Sequence, residues 1–238
     1  MSRKQKPQAP QPRAVSSERR KARTRKRLIE AGVLVLAERG PEATLIDHVI
    51  SQAEVSRGTF YNYFTSIEDL AQSARQELAE EITALLESAT APQSDPAVRL
   101  AVKLRVYLDI STRYPLFLEF MARLGLRAMG PGNAIHGSLM SLVQEAQDSG
   151  DFCIMPRLLA AELLQASTLA ILRQLHEAEP ADLPEFVAAM LRMLGVDRSQ
   201  AEHIASQPVP HPQLPADSLI VRSEIARVTR KPRMVVIG

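Results

Sequence analysis

The chain has no tryptophan, a single cysteine (Cys153) and only 4% aromatic residues. One cysteine excludes an internal disulfide framework and any zinc site built on cysteine pairs. No run of eighteen apolar residues is present, which argues against a membrane span. The N-terminus is basic but has no apolar stretch behind it, so it does not read as a secretory signal. A cytoplasmic protein is the expectation. The sequence also lacks a Gly-x-Ser-x-Gly elbow, a phosphate-binding glycine loop and a dinucleotide fingerprint. His176-Glu-Ala-Glu179 lacks the second histidine of a zinc-protease helix, and His136, His176 and His203 do not have metal-ligand spacing. Neither catalysis, nor a metal, nor a cofactor is expected.

What the chain does have is a strong charge asymmetry. Residues 1–27 contain eleven Lys or Arg and one acid, Glu18, for a net +10, whereas the whole chain is only +2. The remainder is therefore acidic, and a basic arm on an acidic body suits a polyanionic partner.

Periodicity predicts helices throughout, so the expected fold class is all-α. Residues 1–17 are rich in Gln, Pro and Ser without an apolar period and read as a disordered basic arm. From Ser17, Leu28, Ile29, Gly32, Val35 and Leu36 recur at helical steps until Gly40-Pro41. Thr44-Leu-Ile-Asp47 has the pattern of a capping box, with Thr44 as N-cap, and Thr65-Ser-Ile-Glu68 has another. Further helices are predicted near Ala97–Thr112, Pro115–Arg127, Asn133–Asp148, Pro156–Ala178 and Leu183–Leu194. The expected organisation is the arm over 1–17, a small helical domain over 18–70, a larger helical domain over 71–196 and a mostly extended, proline-rich tail over 197–238.

The informative stretch is Thr44 to Phe64. Two short helices joined by a tight turn at Ala53-Glu54-Val55 make a helix-turn-helix, with Ser56 as N-cap of the second helix. Phe60 and Phe64, four residues apart, are expected to face inward. Arg57, Thr59, Tyr61, Asn62 and Tyr63 are left for the outside or the edge, and Gly58 allows the backbone a close approach to DNA.

At these residues the chain resembles the TetR family. Arg57-Gly-Thr-Phe-Tyr-Asn-Tyr-Phe64, after Ala53-Glu-Val-Ser56 and before Ser66-Ile-Glu-Asp-Leu70, is similar to the family's DNA-binding signature. The likeness runs from about Arg25 to Leu70. It implies a bacterial homodimer on double-stranded, near-palindromic operator DNA, contacted through Thr44, Ser56, Arg57, Gly58, Thr59, Tyr61, Asn62 and Tyr63. It also implies a C-terminal domain that binds a small-molecule effector and dimerises. Repression is the family's commoner mode. Candidate pocket residues are Tyr107, Phe117, Phe120, Met121, Leu124, Leu139, Met140, Val143 and Thr168; the scarcity of aromatics favours a mostly apolar effector. Arg105, Arg123 and Arg173 are candidate anion anchors. The stripes holding Ser167, Ile171, Leu175, Phe186, Met190 and Met193 are candidates for a two-fold dimer interface. Two departures, Glu54 where the family has glycine and Ile67 where it often has lysine, support the alternative of a ligand-binding or interaction module with weakened DNA affinity.

The basic arm is expected to contact DNA beyond the helix-turn-helix. Deleting residues 1–22 should weaken DNA binding and flatten its salt dependence, since each phosphate neutralised adds ~0.9 to the slope; a slope unchanged in a salt titration would exclude the arm.

Overall fold

Residues 12–128 and 133–229 are described by the structure, a computed structural model. Helix α1 (Pro12–Arg39) is exposed from Ser17 to Arg23 and buried through Leu28, Ile29, Val33, Leu34 and Leu36. Residues 12–17, expected in the disordered arm, form its beginning; residues 1–11 lie outside the described residues. The helix stops where Gly40 takes φ +76 and its N–H donates to the Leu36 carbonyl at 2.8 Å.

Helices α2 (Ile46–Ala53), α3 (Arg57–Tyr61) and α4 (Ile67–Thr90) follow. Both α2 and α4 pack on α1. Gly32 sits at the α1–α4 crossing: a Cβ there would stand 2.9 Å from a Leu70 methyl, so the two helices meet closely because this position has no side chain. Helix α4 carries its buried stripe (Leu70, Ala74, Leu78, Ile82, Leu86) out of the small domain and into the body.

The body contains α5 (Pro96–Arg113), α6 (Pro115–Leu124), a 3-10 turn Gly125–Ala128, α7 (Ala134–Ser149), α8 (Arg157–His176) and α9 (Leu183–Met193), each within a few residues of its predicted span. Local caps explain several starts. Asp95 accepts from the Ala97 N–H at 2.7 Å, Asn133 from Ile135 at 2.9 Å and Asp182 from Glu185 at 3.0 Å. One apolar cluster joins α1–α4 to α6 and to parts of α5 and α8; a second lies between α5 and α7–α9.

Residues 197–229 of the tail depart from the extended reading, and residues 230–238 lie outside the described residues. Asp197 caps α10 (Arg198–Ser206), accepting from Ser199 N–H at 2.9 Å. After the proline-rich crossing, α11 (Leu219–Thr229) packs against α1, α4 and α6 and buries Leu219 and Ile220 in the first cluster. Glu81 of α4 accepts from the Leu219 N–H at 2.6 Å; burial pushes its carboxyl above the usual range, only partly offset by the N–H groups it accepts.

Gly32→Ala should overpack the α1–α4 crossing and destabilise the protein by about 1–3 kcal/mol, read as a lower denaturant midpoint. An unchanged midpoint would mean Leu70 moves aside freely.

Candidate functional site

The first site is the surface formed by α2 and α3. Phe60 and Phe64 are buried at 0% and 2% exposure, with ring centroids 5.9 Å apart, and the Arg25 guanidinium lies 5.7 Å from the Phe64 ring. Ser56 caps α3 as expected, accepting from the Thr59 N–H at 3.1 Å, and its hydroxyl also meets that of Thr59 at 2.8 Å. With the phenylalanines inward, Arg57, Gly58, Tyr61 and Asn62 are exposed, while Thr59 and Tyr63 are half-buried.

Thr44 is placed differently from its expected role. It is buried, and its hydroxyl donates to the Gly40 carbonyl at 2.7 Å, closing the loop after α1. The N-cap of α2 is Leu45, whose N–H donates to the His48 ring nitrogen at 3.1 Å, and it is the Leu45 side chain that faces outward at this helix start. The second box is shifted by one residue too. Ser66 caps α4, accepting from Asp69 N–H at 3.1 Å, and Asp69 in return accepts from Thr65 N–H at 2.8 Å.

Glu54, the departure in the turn, adopts the left-handed conformation at φ 51. Arg27 braces it, donating to the Ala53 carbonyl at 2.6 Å and lying 3.7 Å from the Glu54 carboxylate. The turn is therefore made without glycine. Ile67, the second departure, packs half-buried on the core.

Asp47 was not among the expected site residues. Its carboxylate holds the Arg57 guanidinium at 2.6 Å, with the two side chains 64% and 54% exposed. An ion pair so exposed is screened by water and contributes little to stability. It orients Arg57 on the α3 surface.

The second site is a cavity of about 60 Å³ in the body, lined in part by Leu86, Leu104, Tyr107, Met121, Leu139 and Thr168. Of the expected pocket residues, Tyr107, Met121, Leu139 and Thr168 therefore meet there. Phe117 borders an adjoining hollow that shares Met121, Ala128 and Ile135. Phe120 and Leu124 are buried in the first core cluster, Val143 in the second, with Met140 packed against it, and none of the four lines the cavity.

The cavity also has polar walls that the sequence reading missed. Lys103 is 3% exposed; its ammonium donates to Glu87 at 2.6 Å and to the Ser138 hydroxyl at 3.1 Å, and Ser138 donates to Glu87 at 2.6 Å. Burial pushes the Glu87 carboxyl up, but the Lys103 and Ser138 hydrogen bonds and the charges of Lys103 and Arg99 outweigh it, and the group lies below the usual carboxylate range. Gln165 meets His136 at 2.8 Å. Burial alone raises the Tyr107 hydroxyl, which stays neutral and keeps its donor. A charged residue inside the apolar run Leu100-Ala-Val-Lys103-Leu104 was the available signal. Two of the three candidate anion anchors are engaged elsewhere, Arg105 donating to the Gln207 carbonyl and Arg173 pairing with Glu177 on the surface of α8, and Arg123 is exposed on α6.

The third surface is α8 with α9. Ser167, Leu175, Phe186, Met190 and Met193 are half-buried, while Ile171 is buried within the chain's own core. Leu158, Leu159 and Leu163, not anticipated, are exposed. Helix α8 is long and apolar enough to cross a membrane by length and composition, with 33% of that window buried inside the chain. Among the described residues no three His, Cys, Asp or Glu side chains cluster for a metal ion.

Residues 28–74 match the family model of bacterial regulatory proteins, tetR family. The HTH-type transcriptional repressor DhaR of Mycobacterium sp. strain GP1 is 35% identical over 75 residues, a stretch spanning 32% of this chain and 38% of that protein. The crystal structure of RolR in complex with the ligand resorcinol is similar over 83% of this chain and 100% of RolR, at a TM-score of 0.67 and 28% identity. FadR from Bacillus subtilis, in complex with stearoyl-CoA, shares the fold at a TM-score of 0.54 and 21% identity, over 71% of this chain and 96% of its own.

Position 58 separates folding from surface chemistry. A Cβ on Gly58 would meet only the Ser56 hydroxyl, at 3.9 Å. Gly58→Ala should therefore fold normally and gain up to about 0.5–1 kcal/mol from the lower chain entropy of alanine; a clear loss in a thermal melt would show that α3 needs glycine for its own geometry.

Proposed function

We propose that the chain is a transcription regulator of the TetR family, whose model matches residues 28–74, and that it acts as a homodimeric repressor released from operator DNA by a small, mostly apolar effector. The α3 surface carries the DNA-binding half. Two buried phenylalanines fix the helix, and the residues left outward are an arginine, a glycine, a tyrosine hydroxyl and an asparagine amide. Those are groups that read base edges and phosphates, on a helix that fits a major groove. Glycine at 58 lets the backbone come close, and the exposed basic residues of α1 extend the positive surface.

The cavity supports the effector half. Its volume of about 60 Å³ favours a small ligand. Apolar walls with a neutral Tyr107 hydroxyl, Gln165 and Ser138 suit an aromatic ring bearing hydroxyl groups. The likeness to RolR, whose solved complex contains resorcinol, points the same way. The apolar surface of α8 and α9 is read as the two-fold interface. Two-fold symmetry then sets the α3 helices about one DNA turn apart, ~34–36 Å, or somewhat more. The protein would act in the cytoplasm, on the nucleoid when DNA-bound.

Fluorescence anisotropy on duplex DNA from upstream of the protein's own gene tests this reading against shuffled DNA. Binding should be at least ~10³-fold tighter to the upstream duplex, be lost in Tyr61→Ala and be weakened in Gly58→Ala. Resorcinol, as the probe effector, should release the DNA from the wild type and do so less well from Tyr107→Phe. Equal weak binding to both duplexes would instead favour an interaction module whose DNA affinity has lapsed.

A further inference from the structure

The segment after Ser206 is gripped along its whole described length by the helices it crosses. Arg105, Asp109 and Arg113 stand at four-residue steps on α5. Arg105 donates to the Gln207 carbonyl, Arg113 to the Pro212 carbonyl at 2.8 Å, and His211 lies 3.3 Å from the Asp109 carboxylate. Leu214 is buried beyond them, and Ser218 starts α11 by accepting from the Val221 N–H at 3.1 Å.

Helix α11 is then fastened at three points to three different helices. Glu81 of α4 accepts from the N–H groups of Leu219 and Ile220 at 2.6 and 3.4 Å. Arg222 pairs with Glu30 of α1, both side chains being 24% exposed. Glu224 accepts from the Leu116 N–H at 2.8 Å, in the first turn of α6. The first N–H groups of a helix have no partner within it. Here α11 finds acceptors on α4, and α6 finds one on α11. Apolar surfaces can slide past one another, but a capped terminus cannot shift without giving up its acceptor. Helix α6 also carries Met121 into the cavity wall.

We propose that residues 207–229 form a strap that ties α1 and α4 to the effector body and relays the state of the cavity, through α6 and α11, to the orientation of α1. The inference rests on the reading of α1–α4 as a DNA-binding unit. It adds a second connection to the direct packing of α6 on α1, made of directional polar contacts that are either formed or broken.

Hydrogen–deuterium exchange on the full chain tests it, comparing wild type, Arg222→Glu, Glu30→Arg and the exchanged pair Glu30→Arg/Arg222→Glu. Each single variant should speed exchange in peptides of residues 28–44 and 116–121, leave α7 to α9 unchanged, and be reversed in the exchanged pair. No change in the single variants would overturn the attachment, as would a loss of protection spread over the whole chain that the exchanged pair does not restore. On the upstream duplex, the single variants should shift affinity by about fivefold or more, again restored by the exchanged pair. Faster exchange with unaltered affinity would overturn the relay. If the wild type binds no DNA, the DNA-binding reading fails, and the exchange data alone decide the strap.

Discussion

A helix of five residues has no stability of its own, since isolated helices shorter than ~12–15 residues are marginal in water. Helix α3 exists because Phe60 and Phe64 are pressed into the core of α1, α2 and α4. Burying each such side chain is worth about 1.5–3 kcal/mol, enough to hold so short a segment in one orientation. Everything proposed for the outward residues follows from that anchoring. Arg57, Gly58, Tyr61 and Asn62 share a surface because the opposite side of the helix has nowhere else to go. The Ser56 cap and the Arg27 brace on the Ala53 carbonyl fix where α3 begins, with Glu54 held in the left-handed conformation at the turn.

The same core reaches past the small domain. Helix α4 runs from the capping box at Ser66 to Thr90 and takes its apolar stripe from one unit into the other. The boundary expected near residue 70 is therefore a change of role along one continuous helix. Gly32 sets how closely α1 approaches that helix, and α11 covers the joint from outside through Leu219 and Ile220. The part that reads as DNA-binding and the part that encloses the cavity are packed as one body, with the contacts between them on α4, α6 and α11.

The sequence showed what local rules govern. The four-residue step from Phe60 to Phe64, the Ser56 cap, the Gly40 stop and the helices of the body all follow from spacing, turn chemistry and capping. Where two local signals competed, one-residue errors arose. Thr44 and Leu45 both precede an apolar helix, and the structure turns the threonine hydroxyl back to Gly40 and leaves the N-cap position to Leu45, whose N–H donates to the His48 ring. Long-range partners were hidden altogether. Proline density made residues 197–238 read as a mostly extended tail, whereas what seats α11 lies more than a hundred residues earlier, at Glu30, Glu81 and Leu116. The cavity was half legible for a related reason. An apolar stripe on a helix does not say which of its members face a void, so Phe120 and Val143 were indistinguishable from Tyr107 and Met121 until the helices were packed.

Cavity size constrains how an effector can act. A ligand shifts a conformational equilibrium only by its difference in affinity for the two states. In a space of about 60 Å³ a small ring cannot gain that difference by filling volume alone; it must displace a wall or complete a polar set. The wall most able to give is Met121, unbranched and flexible, on the helix whose first turn is capped by Glu224 of α11. The polar set is less able to give, because Lys103, Glu87 and Ser138 already satisfy one another, and separating Glu87 from Lys103 would leave a buried ammonium without its counter-charge. Tyr107 differs, its hydroxyl kept neutral by burial. On the proposed reading, a hydroxylated ring accepts from Tyr107 and pushes on Met121, and the push falls on the helix that meets both α1 and the strap.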